Sequence, residues 1–143
     1  MKITTKELEN RIERMQNIDE LREMLSELPK TTFYDRINEL LNEHNMTPAQ
    51  IIKATGMTKS LVYDILSERG KRKPQKHQII RIGLAIGLSV EEVNELLKLA
   101  NHKELYAKND VDAIIIFGIR NNLPDDEIEK LLLEAGCSFS LFA

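Results

Sequence analysis

Eight residues of one stretch, Ile79, Ile80, Gly83, Leu88, Glu92, Leu96, Leu97 and Ala100, recur 35 residues later as Ile114, Ile115, Gly118, Leu123, Glu127, Leu131, Leu132 and Ala135. A fixed offset, with apolar residues three and four apart inside each copy, is the signature of a repeated helical unit. Each copy reads as an apolar helix, a short turn at Gly87-Leu88 or Asn122-Leu123, and a second helix. Ser89 or Pro124 opens that second helix, and acidic residues follow in its first turn, where the helix dipole favours them. Such a unit cannot bury its apolar face alone, so two stacked helical hairpins are expected.

The rest of the chain keeps the helical period. From Thr5 to Leu28 the residues Leu8, Ile12, Met15, Ile18, Leu21, Leu25 and Leu28 form a stripe, and Pro29 closes it. Asn17 followed by Glu20 has capping-box character, so the segment reads either as one helix or as two with a joint there. Each buried Leu or Ile is worth about 1.5 to 3 kcal/mol, which makes the stripe too apolar to leave in water. It packs either on the chain's own helical body or on the same arm of a second subunit.

Thr32 precedes a stripe of Phe33, Ile37, Leu40 and Leu41, a helix expected to end near His44 to Asn45. Thr47-Pro48 supplies an N-cap followed by proline at the first helical position. The short helix so opened carries Ile51, Ile52 and Ala54 and stops at Gly56. Thr58 caps the next, from Lys59 to about Ser67, with Leu61, Val62, Ile65 and Leu66 inward. Gly70 and Pro74 mark Arg69 to Lys76 as a solvated loop. Aromatic residues are only 5% and Trp is absent, which suits helices better than a sheet sandwich. The fold class expected is all-α, in three parts: an amphipathic arm at 1–29, a central domain at 30–103, and a C-terminal helical hairpin at 104–143 that resembles 79–101.

Catalytic chemistry finds no purchase in this sequence. There is no phosphate loop, no dinucleotide glycine fingerprint and no pair of metal ligands at helical spacing, and His44, His77 and His102 are scattered, each read as a lone surface residue. Cys137 is the single cysteine, read as a small near-terminal hydrophobe. The Asp125-Asp126-Glu127 cluster follows Pro124 at a helix start, where the dipole accounts for it. Neither an enzyme nor a bound cofactor or metal is expected. Met1 to Arg11 is charged, and the longest apolar stretch, Ala113 to Ile119, is far short of the roughly 18 to 20 residues a spanning helix needs. A cytoplasmic protein without a membrane partner is expected.

The formal net charge is −3, yet Lys59 to Arg81 holds Lys59, Arg69, Lys71, Arg72, Lys73, Lys76 and Arg81 against Asp64 and Glu68, a local +5. That basic stretch adjoins Thr47 to Leu66, which resembles the helix-turn-helix of the XRE, or lambda-repressor-like, DNA-binding family. Gly56 stands at the turn, and Ile51, Met57, Val62 and Ile65 stand where two helices lock at a steep angle. The resemblance covers roughly Phe33 to Asn101. It departs at Ile52, where the family usually has a small Ala, at Pro48, where a polar residue is common, and at Leu66, where an acidic one is frequent.

The resemblance implies a lambda-repressor-like helix-turn-helix bundle whose recognition helix, 59–67, enters the major groove of double-stranded DNA. Base readers would then be Thr58, Lys59, Ser60, Tyr63 and Asp64, with phosphates held by Lys53, Arg69, Lys71, Arg72, Lys73 and Lys76. It implies a sequence-specific transcriptional regulator that acts as a homodimer, because one short recognition helix gives little specificity alone. The alternative is a protein-interaction adaptor, or an antitoxin-like or phage-defence accessory protein, that holds a protein partner through the N-terminal arm or the C-terminal hairpin.

Overall fold

The computed structural model describes residues 4–28, 31–67 and 73–142. Arg69, Lys71 and Arg72 therefore lie outside the described residues, as do Pro29 and Gly70. Every regular element among those described is a helix, of 7 to 11 residues. The chain divides into two compact units, Met1–Lys30 and Thr31–Ala143.

The first unit holds α1 (Thr5–Arg14) and α2 (Ile18–Glu27). Met15 and Asn17 are extended, and the Asn17 side chain accepts from the Glu20 amide at 3.0 Å while the Glu20 carboxylate accepts from the Gln16 amide at 3.0 Å. Of the two readings of this segment, the structure has the jointed pair. The extended residues reset the helical phase, so the apolar stripe does not run through. Ile12, Ile18 and Leu25 are about half exposed or more, whereas Met24, absent from the stripe read in the sequence, is buried. Arg11 pairs with Glu27 at 3.3 Å and links the two helices.

The second unit holds α3 (Phe33–Glu43), α4 (Pro48–Thr55), α5 (Lys59–Ile65), α6 (Lys76–Ile86), α7 (Val90–Leu99), α8 (Asp110–Arg120) and α9 (Asp125–Glu134). Side chains of Thr32, Thr47, Thr58, Ser89 and Asn109 each accept from the amide three residues on, satisfying a donor that a helix start otherwise leaves orphaned. α4 packs on α5 and α6, α7 on α3, α6 and α8, and α8 on α9. Ile37, Leu40, Ile51, Val62, Ile79, Ile82, Val93, Leu96, Ile115, Ile128 and Leu132, all fully buried, belong to one core that spans these helices. Arg36 on α3 ties the outer surface by pairing with Glu95 of α7 and with Glu39 at 2.9 Å, and these carboxylates raise its pKa further. α6 starts at Lys76, inside the stretch expected to be a loop. The Gln75 amide donates to the Gln78 side chain at 3.0 Å, so the glutamines begin the helix there.

The 35-residue offset is reproduced in three dimensions. Gly87 and Asn122 end the first helix of each copy with positive φ, and Asn101 and Gly136 end the second in the same way. The Leu88 amide donates to the Gly83 carbonyl and Leu123 to Gly118, both at 2.9 Å; His102 donates to Leu97 at 2.8 Å and Cys137 to Leu132 at 2.9 Å. These are the same helix-closing bonds at matched positions. Gly83 and Gly118 are matched for a different reason. A Cβ on Gly83 would stand 2.8 Å from Cγ2 of Val93, and one on Gly118 would stand 2.4 Å from Cδ1 of Ile128. Val93 and Ile128 are themselves repeat mates, so both hairpins cross at a glycine under a β-branched residue.

Gly118→Ala is expected to lower stability by about 1 to 3 kcal/mol through overpacking, although alanine is the better helix former. Urea denaturation checks this, and a stabilised variant would contradict the close crossing.

Candidate functional site

The expected base readers lie on α5 and at its N-cap. Thr58, Lys59, Ser60 and Tyr63 are exposed, Tyr63 at 46%, while Asp64 is half-buried. Val62 and Ile65 face the core, so the helix turns its inner edge inward and leaves 59, 60 and 63 on the outer one. Lys59 lies with its Nζ 5.9 Å from the centroid of the Tyr63 ring, a cation–π contact that holds the ammonium beside the phenol.

The approach to α5 is fastened from beneath. Gly56, at φ +71°, carries the chain out of α4 in the left-handed region, where a side chain costs roughly 1 to 2 kcal/mol. Thr55 is buried; its hydroxyl donates to the Ile51 carbonyl at 2.7 Å and accepts from the Met57 amide at 3.2 Å. The Thr55 carbonyl accepts from the guanidinium of Arg81, whose Nε donates to Asp125 at 3.3 Å and which stacks 4.6 Å from the centroid of the Phe142 ring. At the far end of α5, Asn38 of α3 donates to the Leu66 carbonyl at 3.1 Å. Sequence reasoning noted Arg81 only as one charge among seven and passed over Thr55 and Asn38. Their partners lie far along the chain or on its backbone, where periodicity carries no signal.

The cations divide into two groups. Lys53, Lys59 and Lys73 are exposed and make no ion pair among the described residues. Lys76 and Arg81 are committed internally. The Nζ of Lys76 donates to Asp112 at 2.7 Å and lies 5.4 Å from the centroid of the Phe139 ring. Asp112 is buried, and it also accepts from the Tyr106 amide at 2.9 Å. Arg69, Lys71 and Arg72 fall outside the described residues.

Two of the three histidines differ from their reading as surface residues. His44 is exposed, but His102 is half-buried with its Nε2 2.7 Å from the Pro74 carbonyl, and His77 is half-buried near Arg81. Among the described residues no three His, Cys, Asp or Glu side chains converge as a metal site, and no helix is long and apolar enough to cross a membrane. Cys137 is half-buried against the core. No protein-family model, curated protein or solved structure matches this chain.

Two outcomes follow from this geometry. Thr55→Val removes both hydroxyl bonds and leaves the buried Met57 amide without its acceptor, so stability should fall by about 1 to 3 kcal/mol in urea denaturation; an unchanged midpoint would show that the hydroxyl holds nothing. Burial, aided by the charge of Arg81, lowers the pKa of His77 below the ordinary imidazole value of about 6.5. The unfolded chain therefore binds a proton before the folded one does, and stability present above about pH 6.5 is lost as pH falls toward the depressed value. Thermal unfolding at pH 7.5 and 5.5 should show a larger drop for wild type than for His77→Gln.

Proposed function

We propose that the protein is a sequence-specific DNA-binding regulator of the helix-turn-helix type, with α4 and α5 as the two helices of the motif and α5 as the reading helix. One observation carries this reading: a short helix fixed at both ends presents Thr58, Lys59, Ser60 and Tyr63 outward, at the start of the stretch of the sequence, Lys59 to Arg81, with net charge +5.

The chemistry of these side chains suits a major groove. Lysine donates to guanine O6 or N7, serine pairs with several bases, aspartate accepts from cytosine N4, and a tyrosine ring meets a thymine methyl or its hydroxyl a phosphate. Lys53 and Lys73 flank α5 and suit phosphate contact, as do Arg69, Lys71 and Arg72 from their place in the sequence. Lys76 is not free for such a contact, since its ammonium is already held by Asp112. The left-handed turn at Gly56 and the polar fastening of Thr55 support the reading, because a helix that reads bases must arrive with a fixed orientation.

Selection of bound duplexes from a random pool tests it, and the expected outcome is enrichment of a defined sequence bound with submicromolar affinity at moderate salt. Lys59→Ala should change the preferred sequence. Neutralising Lys71, Arg72 and Lys73 together should weaken all sequences and flatten the salt dependence. Folded protein that enriches nothing would remove the reading.

A further inference from the structure

The turns of the two hairpins meet at a cleft of about 270 Å³. Three pairs of repeat mates line it, Leu84 with Ile119, Gly87 with Asn122 and Leu88 with Leu123, so its walls are largely aliphatic. Two further lining residues break the repeat. Arg81 and Asp125 are the only ionisable residues among the described ones that line the cleft, and their mates, Ile116 and Val90, are both apolar. The charges thus stand where the other copy has apolar side chains, in the space that the two hairpins enclose between them.

The pair is sheltered and only partly used. The Arg81 side chain is 12% exposed and that of Asp125 26%, which reduces solvent screening and strengthens any further charge-assisted bond. Nε of Arg81 donates to Oδ2 of Asp125 at 3.3 Å and Nη2 donates to the Thr55 carbonyl, while neither Nη1 of Arg81 nor Oδ1 of Asp125 makes a hydrogen bond to a described residue. A cationic donor and an anionic acceptor therefore stand side by side against aliphatic walls. A simple anion in this cleft would meet Asp125 and a simple cation would meet Arg81, each a like charge that opposes binding. A zwitterion satisfies both, with its carboxylate on the guanidinium and its ammonium on the Asp125 carboxylate. The volume lies just under the roughly 300 Å³ at which ligand pockets usually begin, which admits one small molecule.

We propose that this cleft binds a free α-amino acid with an aliphatic side chain of about leucine's size. The charged pair holds its ammonium and carboxylate, and Leu84, Leu88, Ile119 and Leu123 take its side chain. The inference goes beyond DNA binding and does not depend on it. Leucine titrated into the full chain should bind with a dissociation constant of about 1 mM or lower and shift the amide resonances of residues 81–88 and 119–125. Isocaproate, which lacks the ammonium, and isoamylamine, which lacks the carboxylate, should each bind about tenfold more weakly or worse, the scale of one lost charge-assisted bond. Asp125→Asn should erase leucine's advantage over isocaproate, because the guanidinium is then unopposed, an exchange of preference that loss of a merely structural ion pair would not produce. Ala85→Leu, which narrows the cleft and keeps both charges, should abolish leucine binding. Folded wild type that does not bind leucine would overturn the proposal. So would equal affinity for the three compounds, an undiminished preference in Asp125→Asn, binding retained in Ala85→Leu, or resonance shifts centred elsewhere. Should either variant fail to fold, the resonance shifts and the three-compound comparison on wild type decide.

Discussion

None of the described helices exceeds 11 residues, and a helix of that length is marginal in water, because the first turn costs more order than its single hydrogen bond returns. Packing therefore holds the helices, and the packing needs each short helix to stop and restart at a fixed angle. The left-handed residues and capping side chains between helices provide this. α6 and α8 are each closed by one such residue and followed by a new helix start two or three residues on, so the chain folds back before its apolar face has left the core.

Those punctuation marks were legible in the sequence wherever they are local. Thr47-Pro48, Gly56, Thr58 and Ser89 each stand within three residues of what they cap, and the helices begin or end where these residues imply. The 35-residue recurrence was legible because core contacts repeat with it. Met24 was not: it falls outside the stripe of a continuous helix, and it enters only once the extended residues at Met15 and Asn17 change the phase of α2. Whether Thr5 to Leu28 was one helix or two was open in the sequence for the same reason, since the choice rests on the two backbone angles at a joint.

The candidate site was legible as a set of residue types on one helix and illegible as a network. Lys76 illustrates the difference. Its place between Pro74 and the next helix suggests a loop cation, but a carboxylate 36 residues away, buried and offered also to a backbone amide, claims it. Charge counted along a sequence overstates what a surface presents, because a cation paired inside the fold contributes its field but not its hydrogen bonds. Arg81 shows the converse. Held within the fold, it joins the first turn of α9 to the carbonyl just before Gly56, so the C-terminal hairpin bears on the geometry with which α5 begins.

The positive-φ residues of the two copies exchange identity without exchanging place: glycine then asparagine in the first, asparagine then glycine in the second, fourteen residues apart in each. Both amino acids tolerate the left-handed region, glycine for want of a Cβ and asparagine through its short polar side chain. The backbone at these points is thus encoded more loosely than any single letter and more tightly than hydrophobicity. Divergent sequences of this architecture could share hardly a core residue and still keep that rhythm of glycine or asparagine, which makes it a better ruler for aligning them than the apolar stripe.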